Sequence, residues 1–150
     1  MLNKRHTVEA RTTTFKKNLL IVLERNADRL DLKSYDVVVI PIPESHHYYL
    51  VCFDLRELSI EVIDNMHPKF AWVSMKDGNS FTSKGTPNKI KHIVCAYMRS
   101  VKHPSAQALS SETLSKKEIG WATRDNFTDC GIFAMQHMEL YYGKNKPFEC

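Results

Sequence analysis

The sequence predicts an α+β domain with a small, largely antiparallel sheet flanked by helices. Three observations predict this class: a β-branched apolar run, two adjacent strand-like segments joined by a turn, and segments whose apolar residues recur at helical gaps. The chain has 150 residues, of which 43% are apolar and 25% charged, as is typical of a globular chain with a sizeable core. Residues 1–150 are therefore expected to form one domain.

Two helices are predicted outside the segments that carry the candidate functional residues. The first covers residues 15–26, with Thr14 as its cap and with an apolar face formed by Phe15, Leu19, Val22 and Leu23. The second covers residues 87–101, because Thr86 can cap it and Pro87 suits its first position. The polar segments 76–84 and 104–117 are predicted to be loops.

The stretch "YDVVVIPIP" predicts a strand between these helices. Residues 37–42 form a short apolar run rich in β-branched side chains, and prolines follow it. This pattern is typical of a buried strand.

The segments "HHYYLVCFDL" and "LSIEVIDNM" predict a hairpin. A turn centred between Leu55 and Arg56 creates one apolar face, with the opposed pairs Phe53 and Leu58, Val51 and Ile60, and Tyr49 and Val62. One step further along the same ladder, His47 faces Asp64, and an imidazole can hydrogen-bond a carboxylate there. The opposite face contains Glu61 and is expected to be partly solvated.

The stretch "NFTDCGIFAMQHMELYYG" predicts a helix that begins beside a cysteine. Its core-facing residues are predicted to be Ile132, Phe133, Met135, Met138, Leu140 and Tyr141. Asp129 is the candidate N-cap and Gly143 the candidate stop. Cys130 then lies in the first turn, where the helix dipole favours a thiolate nucleophile. The alternative is a buried cysteine that only packs.

These residues supply a nucleophile, a base and an orienting acid in the order His47, Asp64 and Cys130. Two alternatives stay open. His47 and Asp64 can form a structural pair without chemistry. His46 is a rival base, although strand alternation points its side chain away from Asp64. Other cysteines and histidines are interpreted as packing or surface residues: Cys52, Cys95, Cys150, His67, His92, His103 and His137.

Composition argues against several other classes of protein. No window is apolar enough to span a membrane, and the N-terminal segment lacks the apolar core of a signal peptide. The four cysteines show no spacing typical of a zinc site or a disulfide framework, so an intracellular, reducing location is expected. The net charge of +4 is mild, and its basic residues are scattered without interleaved aromatics, so no nucleic-acid partner is predicted.

The motifs "HYYLVCFD", "VIDNM" and "TDCGIFAMQHME" together resemble the ubiquitin-like-protein-specific cysteine proteases, the SUMO or sentrin protease family, especially its plant members. That family has a His followed by an aromatic and a Leu, an Asp at the end of the next strand, and an Asp-Cys-Gly that opens a helix. The matching positions here are His47, Tyr48, Leu50, Asp64, Asp129, Cys130 and Gly131. The resemblance runs from about residue 37 to residue 143.

This resemblance implies a papain-like cysteine protease fold that hydrolyses the bond after the diglycine end of a ubiquitin-like modifier of the SUMO type, in maturation or in deconjugation. Cys130 would attack the carbonyl, His47 would transfer the proton, and Asp64 would hold His47. Tyr48 would contact the substrate. The resemblance implies no metal or organic cofactor, a monomer, and a location in the nucleus or cytoplasm.

The sequence departs from the family pattern at one functional position. Family members usually carry a Gln six residues before the nucleophile, where it helps to form the oxyanion hole, and this chain has Arg124 there. Fewer than 40 residues precede the first strand, so a catalytic domain truncated on its N-terminal side is one expectation. The alternative function is a weak or inactive copy, derived from a mobile element, that serves as a modifier-binding or interaction module.

Overall fold

The computed structural model describes residues 7–44, 47–65, 75–76, 80–81, 85–120 and 128–148. The main sheet has the strand order β1-β2-β3-β6, with β1 at Val37–Glu44, β2 at His47–Asp54, β3 at Ser59–Ile63 and β6 at Leu114–Lys116. A second sheet pairs β4 (Met75–Lys76) with β5 (Ser80–Phe81). The helices are α1 (Val8–Val22), α2 (Thr86–Ser100), α3 (Ala106–Ser111) and α4 (Cys130–Leu140), with a short 3-10 helix at Ala27–Arg29. No described helix is long and apolar enough to cross a membrane.

This architecture confirms the predicted α+β class. Strands β1, β2 and β3 pair antiparallel, whereas β6 runs parallel to β3, so the sheet is mixed. One face carries the larger core, in which β2 and β3 pack against α2 and α3. The other face carries a smaller cluster formed by Leu50, Cys52, Ile63, Ala134 and Tyr141. The expectation of a partly solvated second face was wrong, because α4 covers it.

The first helix begins earlier than predicted. It covers Val8–Val22, and Thr7 is the N-cap, whose hydroxyl accepts a hydrogen bond from the amide of Ala10 at 3.2 Å. Thr14 does not cap the helix, because it lies in the helix interior. Its hydroxyl donates to the carbonyl of Ala10, four residues back. A threonine can satisfy its hydroxyl inside a helix in this way.

The first strand is longer and more exposed than predicted. It continues through Pro41 and Pro43 to Glu44, and most of its side chains are only partly buried. Strand β1 lies at the edge of the sheet. An edge strand tolerates proline, since every second backbone nitrogen faces away from the neighbouring strand.

The hairpin forms, but the predicted register was wrong. Phe53 pairs with Ile60, and Val51 pairs with Val62. The reason is a four-residue turn over residues 55–58, in which the Asp54 carboxylate accepts hydrogen bonds from the amides of Arg56 and Glu57, both at 3.0 Å. The ladder shifts by two residues, so each side chain keeps its predicted face but changes its partner.

The central helix lies close to its predicted position. Helix α2 starts at Thr86 with Gly85 at the N-cap, and Pro87 is buried in its first turn. The Thr86 hydroxyl donates to the carboxylate of Glu44 at 2.7 Å and does not cap the helix.

The two predicted polar loops contain regular structure. Segment 104–117 holds α3 and β6, and their residues Leu109 and Leu114 are buried in the larger core. Segment 76–84 overlaps β4 and β5, and its remaining positions lie outside the described residues. Both strands are too short for a period-two pattern to be visible in the sequence.

The cysteine-bearing helix turns a different face to the core from the one predicted. Its buried residues are Cys130, Ala134 and His137, and Tyr141 at its C-cap is also buried. Ile132 and Met135, which were predicted to face the core, are 60% and 56% exposed. The helix is apolar on several sides, so its spacing alone does not select one face.

Candidate active site

The hairpin brings His47 and Asp64 together. His47 is the first residue of β2, and Asp64 directly follows the last residue of β3. The distance between His47 Nε2 and Asp64 Oδ1 is 2.8 Å, and both side chains are 1% exposed. Extending the observed register would place Asp64 opposite Tyr49, so His47 reaches it along the diagonal of the ladder. The predicted contact therefore forms, although the two residues are not directly opposed.

This contact determines the roles of the two ring nitrogens of His47. An ionised carboxylate only accepts hydrogen bonds, so Nε2 carries the proton and donates it to Asp64. In a neutral imidazole, Nδ1 is then the acceptor. His47 Nδ1 is buried and has no hydrogen-bond partner among the described residues. A general base needs an unprotonated nitrogen that is available to receive a proton, and Nδ1 meets this requirement.

A hydrogen-bonded group of Tyr49, Thr86 and Glu44, called here the polar brace, lies beside His47. The ring of Tyr49 stacks on the ring of His47 with centroids 6.4 Å apart. The Tyr49 hydroxyl and the Thr86 hydroxyl both donate to the carboxylate of Glu44, each at 2.7 Å. Burial, together with Glu44, raises the pKa of Tyr49, so it remains a neutral donor. The brace links β1, β2 and α2 around His47.

Cys130 is the first residue of α4 and is 4% exposed. It is a thiol outside any disulfide. Asp129 occupies the predicted N-cap position, although its side chain makes no capping hydrogen bond to the helix. The backbone amides of the first helical turn and the helix dipole favour negative charge at this position, which suits a thiolate.

Packing of α4 on β2 brings the cysteine to the histidine end of the sheet. A Cβ atom added at Gly131 would lie 3.9 Å from the ring of Tyr48, which directly follows His47. Tyr48 is 44% exposed and forms part of the surface beside the start of the helix. The first residues of α4 and of β2 are therefore neighbours, and a side chain at Gly131 would narrow the gap between them.

A second network holds the other end of α4. The carboxylate of Asp54 accepts a hydrogen bond from the amide of Lys144 at 2.9 Å, in addition to its two turn amides. Gly143 has a φ of +121°, and a Cβ there would collide with Asp54 Oδ2. Only glycine allows this close approach. The hairpin turn thus anchors the chain where it leaves the helix.

Two basic residues near Asp64 were missed as site residues by the sequence analysis. His137 is buried on the same face of α4 as Cys130, and burial lowers its pKa to about 4, although the charge of Asp64 opposes this shift. Lys116 ends β6, and burial lowers its pKa while the charge of Asp64 again acts in the opposite direction. Lys116 lies outside the quoted motifs, and His137 lies within "TDCGIFAMQHME" but at none of the positions matched to the family. Their proximity to Asp64 depends on the order of the strands and on the face that α4 buries.

The remaining cysteines of the described region are consistent with packing roles. Burial raises the pKa of Cys52 and of Cys95, and this keeps both thiols protonated. Four residues singled out in the sequence, His46, His67, Arg124 and Cys150, lie outside the described residues. The predicted role of Arg124 near the oxyanion therefore stays a prediction.

Comparison with known families supports the resemblance drawn from the three motifs. A family model described as the Ulp1 protease family, C-terminal catalytic domain, matches residues 2–149. Comparison with curated proteins found no match. The family match covers almost the whole chain, including the hairpin and the cysteine-bearing helix. The chain therefore belongs to the Ulp1 protease family, the ubiquitin-like-protein-specific cysteine proteases.

Proposed function

We propose that this domain cleaves the bond after the C-terminal diglycine of a SUMO-type modifier, in precursors or in conjugates, with Cys130 as nucleophile, His47 as base and Asp64 as orienting acid. One observation carries the assignment of roles. His47 is bonded to Asp64 through Nε2, its Nδ1 is buried without a partner among the described residues, and the helix that begins with Cys130 packs beside it.

The reaction follows from this arrangement. The Cys130 sulfur forms a bond to the carbonyl carbon of the last glycine, and the thiol proton passes to His47 Nδ1. His47 then gives that proton to the departing amine as the C–N bond breaks, which leaves a thioester. A water molecule transfers a proton to His47 and its hydroxyl to the acyl carbon. The C–S bond breaks, the free carboxylic acid leaves, and the thiol recovers its proton.

Asp64 contributes through the orientation of His47. The hydrogen bond at Nε2 fixes the tautomer that exposes Nδ1, and the carboxylate stabilises the imidazolium that forms during the reaction. The brace of Tyr49 and Glu44 keeps the ring from turning away.

The oxyanion is assigned to the start of α4. Backbone amides at the N-terminus of a helix point outward with partial positive charge, so those of the first turn suit a developing negative oxygen. Arg124 is the proposed side-chain donor at the position where the family usually carries Gln. Tyr48, exposed beside Gly131, is proposed to form the apolar wall along which the diglycine tail lies.

A second candidate function rests on Arg124 alone. Losing one oxyanion donor lowers turnover about 10²–10³-fold. If Arg124 does not replace the usual Gln, the domain is a slow or inactive protease that binds the modifier without efficient turnover.

A modifier whose C-terminal carboxylate is replaced by an electrophile tests both candidates. We expect a SUMO-type probe to form a covalent adduct with the wild-type protein and with Cys52→Ser, but not with Cys130→Ser. A ubiquitin probe of the same chemistry serves as the specificity control. An intact adduct in Cys130→Ser would exclude Cys130 as the nucleophile, whereas binding of the SUMO-type probe without any adduct would favour the inactive module.

A further inference from the structure

The buried Asp64 carboxylate is sensitive to positive charge close to it. It is 1% exposed, and a carboxylate removed from water is costly unless a cation or several donors stabilise it. His47 bonds it, but a general base must be neutral at Nδ1 before it accepts a proton, so His47 supplies no charge at that stage. A cation close to the pair would add to the stabilisation of the carboxylate.

Groups from three elements face Asp64 in the described part of the chain. Strand β2 contributes His47 and Tyr49, helix α4 contributes His137, and strand β6 contributes Lys116. Tyr49 is neutral because burial raises its pKa. His137 is neutral near pH 7 because burial lowers its pKa to about 4. Burial lowers the pKa of Lys116 and the charge of Asp64 opposes this shift, but the ordinary pKa of a lysine lies far above neutrality, so Lys116 is the group among these that keeps a positive charge.

The sheet register places Lys116 within reach of Asp64. Lys116 pairs with Val62 in the parallel ladder between β3 and β6. Asp64 lies two residues beyond Val62, and residues two apart in an extended segment point to the same face. Diagonal neighbours in a sheet are about 7–8 Å apart at the backbone, a distance that a long side chain spans. Lys116 is half-buried, so its ammonium group is only partly screened by water.

We propose that Lys116 is a positioning residue of the active site, whose ammonium group keeps the Asp64 carboxylate ionised and so maintains the His47 tautomer that serves Cys130. This inference rests on the proposed function, because it assumes that His47 activates Cys130. Lys116 acts through Asp64 and does not contact the substrate.

Removal of the Lys116 charge should change the pH dependence of Cys130 reactivity in one direction. Without Lys116, every proton in the Asp64, His47 and Cys130 chain is held more tightly, so the reactive thiolate forms only at higher pH. The pH profile of Cys130 reactivity should therefore move upward in Lys116→Met, by about half a pH unit or more. Lys116→Arg keeps the charge and should restore the wild-type profile.

Lys117 provides the matched control. It adjoins Lys116, but its ammonium group lies 3.7 Å from Glu61 and donates to the carbonyl of Lys144 at 2.8 Å. Lys117→Met removes the same charge from the protein without removing it from Asp64. Its profile should remain where the wild-type profile lies.

The readout is the rate of Cys130 alkylation by iodoacetamide as a function of pH, with Cys130→Ser giving the background from the other cysteines. This measurement needs no modifier, so it separates the two proposals. An upward shift in Lys116→Met alone, reversed in Lys116→Arg, supports the role of Lys116 even if the SUMO-type probe fails to react. An unchanged profile in Lys116→Met, or equal shifts in Lys116→Met and Lys117→Met, overturns it while leaving the modifier assignment intact. A circular dichroism spectrum for each variant establishes that the fold is retained.

Discussion

The β2–β3 hairpin and helix α4 each contribute one half of the proposed active site, and they are built in different ways. The hairpin holds His47 and Asp64, which are 17 positions apart, inside a continuous buried ladder. Helix α4 brings Cys130 from far along the chain and packs only one side against the sheet. The proposed base and its acid are thus fixed by local structure, whereas the position of the proposed nucleophile depends on how one helix docks.

The two regions also differ in how they resist disturbance. The hairpin is enclosed by the larger core on one face and by α4 on the other. Helix α4 rests on a smaller cluster and is tied at its C-terminal end through Asp54, Gly143 and Lys144. Changes in the hairpin are therefore expected to affect chemistry most directly, and changes around α4 are expected to affect stability.

The largest effect is expected from removal of the base. His47→Ala should lower turnover of the modifier substrate by about 10²–10⁴-fold, since it removes the proposed acceptor of the Cys130 proton. Steady-state kinetics on a single modifier precursor measures this loss. The matched control is His46→Ala, for which the strand alternation predicted from the sequence gives a mild effect. If His46→Ala were the damaging variant and His47→Ala the mild one, the assignment of the base would be wrong.

A smaller effect, on stability, is expected where the hairpin holds α4. Asp54→Asn leaves an oxygen for the turn amides but presents an NH₂ group to the amide of Lys144, so one charge-assisted hydrogen bond is lost. The free energy of unfolding should fall by about 2–3 kcal/mol, as measured by urea denaturation.

The exposed contact next to it provides the comparison. Glu57→Ala removes a surface hydrogen bond between Glu57 and Asn145 and should change the free energy of unfolding by less than about 0.5 kcal/mol. Equal losses in Asp54→Asn and Glu57→Ala would mean that the buried anchor does not hold the helix end.

Local patterns predicted the fold best where partners lie close together in sequence. The hairpin and α2 are visible because period-two and period-3.6 patterns need only neighbouring residues. The register failed because the Asp54 side chain selects a four-residue turn, a choice that strand alternation does not report. Strand β6 was missed because it has three residues and pairs with β3 across more than 50 positions.

The candidate site divides in the same way. His47, Asp64 and Cys130 carry reactive groups within recognisable motifs, so the sequence nominates them. Lys116 lies in no motif, and His137 lies in the third motif but at none of the positions matched to the family. Their proximity to Asp64 arises from strand order and from the face that α4 buries. A sequence pattern names the reacting atoms more readily than the charges that surround them.

The smallest effect is expected on the outer face of α4, and it tests the comparison most sharply. Met135 is 56% exposed, so Met135→Gln should change the free energy of unfolding by no more than about 0.5 kcal/mol. Ala134 is its neighbour but is buried against Leu50 and Ile63, so Ala134→Gln forces a larger polar group into the cluster and should cost several times more. Both variants introduce the same residue into the same helix, so differences in helix propensity contribute only a few tenths of a kcal/mol, about the spread among Ala, Met and Gln. Urea denaturation of the pair measures the difference. A loss of about 2 kcal/mol or more in Met135→Gln is what a core methionine would give, and it would restore the helix face predicted from the sequence.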